Sequence, residues 1–253
     1  MNQPAAPASA TTHDPAAESS AERALALLQA SADADAQGYV HLQTIPYRGH
    51  HLLVKAVLEA TTPGDRVFEG GVSSGYFASV LVRAGLRVDG HELDPEVAER
   101  ARQVCEHVYV GDLSTFDPDE LEGVYDVLLF GDTLEHLPDP AAVLRRLRTK
   151  LRPGGALIIS VPNIANWLVR LSLLAGRFNY ADRGIMDRTH LRFYTVRTVA
   201  EMLGDAGFEV ESLVGSIPVP GITGPRAGRL THRLGNLRPS LAAYGLIVTA
   251  RVP

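Results

Sequence analysis

The chain has 253 residues, 45% of them hydrophobic and 21% charged, which suits a folded domain with a sizeable core and excludes a wholly disordered chain. Its 24 basic against 29 acidic residues give a formal net charge of −5, so a globally basic nucleic-acid binder is not expected. The single Cys105 excludes an internal disulfide and a multi-cysteine zinc site, and no apolar run reaches the roughly 18 residues of a membrane span. The first basic residue is Arg23, so no basic-then-apolar leader is read, and the expected location is the cytoplasm.

Residues 1–20 are small, polar and proline-containing, and read as a disordered tail; residues 21–46 read as an N-terminal extension with a short helix over 21–29. An amphipathic helix over 50–60 places Leu52, Leu53, Val54, Val57 and Leu58 near one face. After the break at Thr61-Thr62-Pro63-Gly64, strands are expected at 66–70, 87–93, 107–111, 125–130 and 156–161. Helices are expected between them at 76–84, 95–105 and 140–151, with Asp94 and Asp139 as caps and a proline after each. That alternation predicts a parallel sheet covered by helices on both faces. A segment of about thirty residues, 162–194, interrupts it before a helix over 196–206. Strands over 208–213 and 244–252, joined by a Gly/Pro/Arg-rich loop without a helix, are expected to pair antiparallel at the edge.

The turn after the first strand reads Phe68-Glu69-Gly70-Gly71-Val72-Ser73-Ser74-Gly75, small enough for a ligand to approach backbone N–H groups at a helix start. The second strand ends in Glu92-Leu93-Asp94, an acid placed to accept ribose hydroxyls, and the third in Gly111-Asp112-Leu113, an acid on the adenine side. Acids at the carboxyl ends of adjacent strands share the crevice where open α/β sheets bind ligands. The dinucleotide fingerprint G-x-G-x-x-G fails, because Val72 or Ser73 stands where its second glycine belongs.

These residues resemble the first motif, E/D-x-G-x-G-x-G, of class I S-adenosylmethionine-dependent methyltransferases: Glu69, Gly71 and Gly75 match, and Ser73 replaces the middle glycine. The resemblance spans about 48–252. It implies a Rossmann-like three-layer α/β/α fold with a seven-stranded sheet in the order 3-2-1-4-5-7-6, its last strand antiparallel, in a domain over 47–253. It also implies a cofactor site of Glu69, Gly71, Ser73, Gly75, Glu92, Leu93, Asp112 and Leu113, with Tyr47 and Arg48 toward the methionine end. The stretch 125–163 is similar to ubiquinone-type O-methyltransferases, and GRFNYADRGIMDRTHLRFYT (176–195) to methyltransferases of polysaccharide and natural-product pathways.

On the acceptor side, Asp132, Glu135 and His136 fall at i, i+3 and i+4, so a helical turn would gather them to hold a divalent metal such as magnesium or to deprotonate a hydroxyl. The ubiquinone-type resemblance implies a metal at that motif. His190, between Arg188 and Arg192, is the second candidate base. The segment 163–194 carries five arginines against two aspartates, which suggests an acceptor-side insertion or lid; Trp167, Leu168, Leu171 and Leu174 suggest a helix packed on the domain. Asn163, Arg188 and Arg192 are the expected acceptor contacts. The expected function is methyl transfer to an oxygen of a small saccharide-like or natural-product acceptor, with a homodimer as the oligomer to consider. The alternative is an accessory protein of the same fold acting with a partner enzyme.

Overall fold

The computed structural model describes residues 15–34 and 42–253. Five parallel strands arise where short apolar runs are bounded by turns: β1 (Arg66–Gly70), β2 (Arg87–Glu92), β3 (His107–Val110), β4 (Tyr125–Gly131) and β5 (Leu151–Pro162). Two more strands, β6 (Glu209–Ser216) and β7 (Gly245–Arg251), complete a sheet in the order β3-β2-β1-β4-β5-β7-β6, with β7 antiparallel to both neighbours. The expected order and the expected direction of the last strand are both present. β5 starts earlier than expected and takes in Pro153-Gly154-Gly155. Gly154 turns at φ +77°, and any Cβ on Gly155 would lie 2.9 Å from the Asp126 carbonyl oxygen, so only small residues let β5 close on β4 here.

Alternation along each strand feeds two cores. Val127 and Leu129 of β4 face one side with α1 (Pro15–Ala34), α2 (Gly49–Ala60) and α3 (Tyr76–Arg83), joined by Ala101 of α4 (Pro95–Ala101). Leu128 and Phe130 face the other, under α5 (Pro140–Leu147) and its neighbour on the same face, α7 (Val196–Asp205). The three layers follow from that division. The Asp94 and Asp139 side chains accept from Glu96 and Ala142 N–H groups, as their positions before prolines foretold.

Three organisational expectations are corrected. The first helix starts at Pro15, so residues 15–20 belong to it; residues 1–14 of the expected tail lie outside the described residues. The helix is seated by Ala24 and Leu28, both fully buried, and by Arg23 donating to the Ala84 carbonyl. Secondly, the β6–β7 connection contains α8 (Pro225–Gly235) and α9 (Pro239–Ala242). Gly228 lets α8 approach Tyr47 closely, a tertiary contact that compensates for two glycines of poor helix propensity. Thirdly, α6 (Trp167–Leu174) forms within the insertion but buries only Val169; Trp167 is 48% and Leu174 84% exposed.

Candidate functional site

A cavity of about 1220 Å³ opens at the carboxyl ends of β1, β2, β3 and β4, the end where the glycine turn and the strand-end acids converge. Single-ligand pockets typically occupy about 300–1,000 Å³, so this one has room for a cofactor and an acceptor together. Glu69, Gly71, Ser73, Glu92, Leu93, Asp112 and Leu113 line it, with Arg48 at the α2 entrance.

The glycine turn is held by β2. Gly71 and Val72 N–H groups donate to the His91 carbonyl, and the Ser73 N–H donates to Glu92 Oε2 at 2.8 Å. Glu92 Oε1 accepts from the Leu93 and Asp94 N–H groups at 2.9 and 3.0 Å. Three backbone donors thus fix this carboxylate, and about one of its four lone-pair positions stays open toward the cavity. Gly71 has φ +79°, and a Cβ there would meet Thr133 Oγ1 at 2.6 Å; the close neighbour is the β4 turn, whose threonine hydroxyl donates to the Gly70 carbonyl. Ser73 lies at φ +52°, the left-handed region that the replaced glycine would occupy freely.

Two expected cofactor residues lie off this wall. Gly75 caps α3 at φ +82°, where a Cβ would press on Ala101 Cα at 3.0 Å, so its glycine serves helix packing. Tyr47 turns away: its ring packs on His51 and His232, and its hydroxyl accepts from Arg229. Residues the sequence reading passed over take part instead. His50 lines the cavity, with its pKa lowered by burial and partly restored by Asp132. His91 lines it too, its pKa lowered to about 4 by burial. Burial pushes the Glu69 carboxyl up to about 8, with Oε2 unpartnered. Cys105 is buried and its thiol is pushed up to about 12, as suits an inert thiol.

The acceptor-side expectations change most. Asp132 stands at φ +49°, before the short 3₁₀ turn Leu134–His136 and outside it, so the three residues do not share a helical face. Its carboxylate accepts from Ser160 Oγ at 2.8 Å and stays with β5. Among the described residues, Glu135, His136 and His190 form a metal-capable group, their ligand atoms lying within 4.8 Å of one another. One carboxylate and two imidazoles fit a divalent ion, and both Glu135 oxygens are buried without a hydrogen-bond partner, Oε1 lying 3.9 Å from His190 Nε2. Burial, followed by the nearby Asp132 charge, pushes the Glu135 carboxyl well above the usual range.

His190 reaches the group because the insertion is strapped down: the Leu191 and Arg192 N–H groups both donate to the Glu135 carbonyl. The His136 and His190 rings meet edge to face at 4.9 Å. Nδ1 of His136 faces the Thr189 carbonyl at 3.2 Å, and Nδ1 of His190 the Ile185 carbonyl at 3.3 Å. A proton on each Nδ1 satisfies both carbonyls and leaves both Nε2 atoms as lone pairs. Burial lowers the His190 pKa, which keeps that ring neutral near pH 7.

The three expected acceptor contacts are elsewhere. Asn163 is fully buried, and its amide donates to the Ser240 and Ala243 carbonyls at 3.2 and 2.9 Å. Arg192 Nε donates to the Pro138 carbonyl at 3.0 Å, and Arg188 pairs with Asp182 at 2.7 Å on the surface. The arginines on the main cavity wall are Arg48 and Arg183.

Sheet order, glycine turn and strand-end acids together define a Rossmann-like methyltransferase fold. Residues 41–213 match a methyltransferase domain family, and the chain belongs to it. It is 30% identical over 168 residues to a ubiquinone biosynthesis O-methyltransferase of Xanthomonas euvesicatoria, covering 62% of this chain and 68% of that protein. It is 32% identical over 127 residues to a tRNA 5-carboxymethoxyuridine methyltransferase of Escherichia coli, covering 47% and 48%. The crystal structure of magnesium protoporphyrin IX methyltransferase from Synechocystis, with bound SAH, shares the fold at TM-score 0.55 and 19% identity, over 94% of this chain and 98% of that one. The protein is an S-adenosylmethionine-dependent methyltransferase. Among the described residues, no helix is long and apolar enough to cross a membrane.

Proposed function

We propose that the protein transfers the methyl group of S-adenosylmethionine to a hydroxyl oxygen of a small saccharide-like or natural-product acceptor. The observation that carries this is the pair of imidazoles at the cavity wall, both with Nδ1 engaged by a carbonyl, Nε2 of His190 lying 3.9 Å from Glu135 Oε1. A sulfonium methyl needs no acid activation, whereas a hydroxyl is a poor nucleophile near neutral pH, so a positioned base is the chief contribution after alignment.

In this reading Glu92 and Asp112 hold the adenosine, and the glycine turn allows the cofactor close to the backbone. The acceptor oxygen attacks the methyl carbon as the carbon–sulfur bond breaks, and His136 Nε2 takes the hydroxyl proton. S-adenosylhomocysteine and the methyl ether leave. His190 is the second imidazole of the pair. A divalent ion would be held by Glu135, His136 and His190, and would supply Lewis-acid stabilisation of the forming alkoxide.

The test scores S-adenosylhomocysteine release with a panel of small hydroxylated acceptors. His136→Ala should lose about 10²–10⁴ in rate, the usual worth of a positioned base. Chelator distinguishes the variants of the scheme: inhibition reversed by magnesium assigns His136 as a ligand, and no effect assigns it as the base. Near-normal turnover by His136→Ala and by chelator-treated protein alike would remove His136 and pass the role to His190.

A further inference from the structure

The insertion carries five arginines, and the structure divides them. Arg170 Nε donates to the Ala165 carbonyl at 2.6 Å, Arg188 is paired with Asp182, and Arg192 is spent on the Pro138 carbonyl. Arg177 and Arg183 make no hydrogen bond or ion pair through their side chains among the described residues. These two line a second chamber of about 410 Å³ between α6 and the loop 177–186. No aspartate or glutamate lines that chamber, and the remaining polar contribution includes Asn179 and Tyr244. The segment's two acids are already engaged, Asp182 by Arg188 and Asp187 by the Thr189 N–H and hydroxyl at 2.8 and 2.7 Å. Arg183 and Tyr244 also line the main cavity, so the two chambers are neighbours that meet at these two side chains.

Two guanidinium groups line one small chamber, and no carboxylate in its wall is there to pair with them. Their planar donor forks match a phosphate or carboxylate. The apolar part of the wall, Leu168, Val169, Phe178, Ile185 and Met186, suits a carbon framework attached to the anion.

We propose that this second chamber is the subsite for an anionic group, phosphate or carboxylate, on the acceptor, gripped by Arg177 and Arg183 while the reacting hydroxyl lies in the main cavity. The proposal rests on the methyl-transfer reading for its use of the two chambers, and its test is independent of turnover. Calorimetry first measures S-adenosylhomocysteine binding, then titrates the loaded protein with phenyl phosphate, benzoate and phenol.

The expected result is that one or both anions bind at least tenfold more tightly than phenol, phosphate preference pointing to a phosphorylated acceptor and benzoate preference to a carboxylic acid. Arg177→Gln with Arg183→Gln should abolish that difference while S-adenosylhomocysteine affinity holds. Arg188→Gln, on the surface ion pair, should leave the difference intact. Equal binding of phenol and both anions, or anion preference retained by the double variant, would overturn the subsite. Failure of the wild-type protein to bind S-adenosylhomocysteine would instead count against the methyl-transfer reading.

Discussion

Glu92 shows how one side chain can be legible in sequence and still be more constrained than its type suggests. Its position at the end of a strand, 23 residues beyond Glu69, is the one expected of a ribose acceptor; the structure places it on the cavity wall, clamped by three backbone N–H groups. Glu92→Ala should weaken S-adenosylhomocysteine binding by about 1.5–3 kcal/mol, the scale of hydrogen bonds to a charged group. Calorimetry on the folded variant checks it, and unchanged affinity would take Glu92 out of the site. Glu69 offers a pH prediction. Its folded pKa is raised to about 8 by burial, above the value of an unfolded glutamate. Below the unfolded value both states are protonated. As pH rises the unfolded chain ionises first, so stability falls progressively until the folded pKa is passed. Denaturant unfolding of the ligand-free protein should therefore show a midpoint that drops between about pH 5 and pH 8. In Glu69→Gln that drop should be markedly smaller, and an equal drop in the variant would assign it to other groups.

At the scale of elements, the insertion and the β6–β7 connection are tied together by asparagines that no pattern foretold. Asn163 and Asn166 both donate to the Ala243 carbonyl at 2.9 Å, joining the end of β5 and the start of α6 to α9. Asn163→Ala should cost about 1–3 kcal/mol, because it leaves buried carbonyls without their donor. Denaturant unfolding reads the loss, and S-adenosylhomocysteine affinity should stay level, since Asn163 does not line the cavity. A parallel loss of affinity would return Asn163 to the site. The same logic explains the elements that were misread. α8 contains Gly228 and Gly235, which argue for a loop when read locally; its Asn236 accepts from the Gly215 N–H at 2.7 Å and so ties its end to β6. α6 has the apolar spacing of a packed helix, yet Trp167, Leu168, Leu171 and Leu174 remain exposed, because periodicity gives a face and not its partner.

For the molecule as a whole, α1 is an integral layer of the domain. His51 Nε2 lies 2.8 Å from the Ala21 carbonyl, and Leu28 is fully buried in the core beneath α2 and α3. Leu28→Ala should cost about 2–5 kcal/mol, as for other fully buried leucines. Thermal or denaturant unfolding would detect it, and a change below about 0.5 kcal/mol would show that α1 is dispensable to the fold. By itself the sequence determined the alternation of strands and helices, the glycine turn and the acids at the strand ends, because these depend on local spacing and on short apolar runs; the strand order came from the family resemblance those residues carry. Tertiary structure alone decided the acceptor side. His136 and His190 are 54 residues apart and become neighbours through contacts of the insertion with the Glu135 and Pro138 carbonyls and with His136 itself; Asp132, four residues from His136, is drawn off to Ser160. Which arginines are spent and which stay open depends on carbonyls and carboxylates distant in the chain, and a count of charges carries no such information.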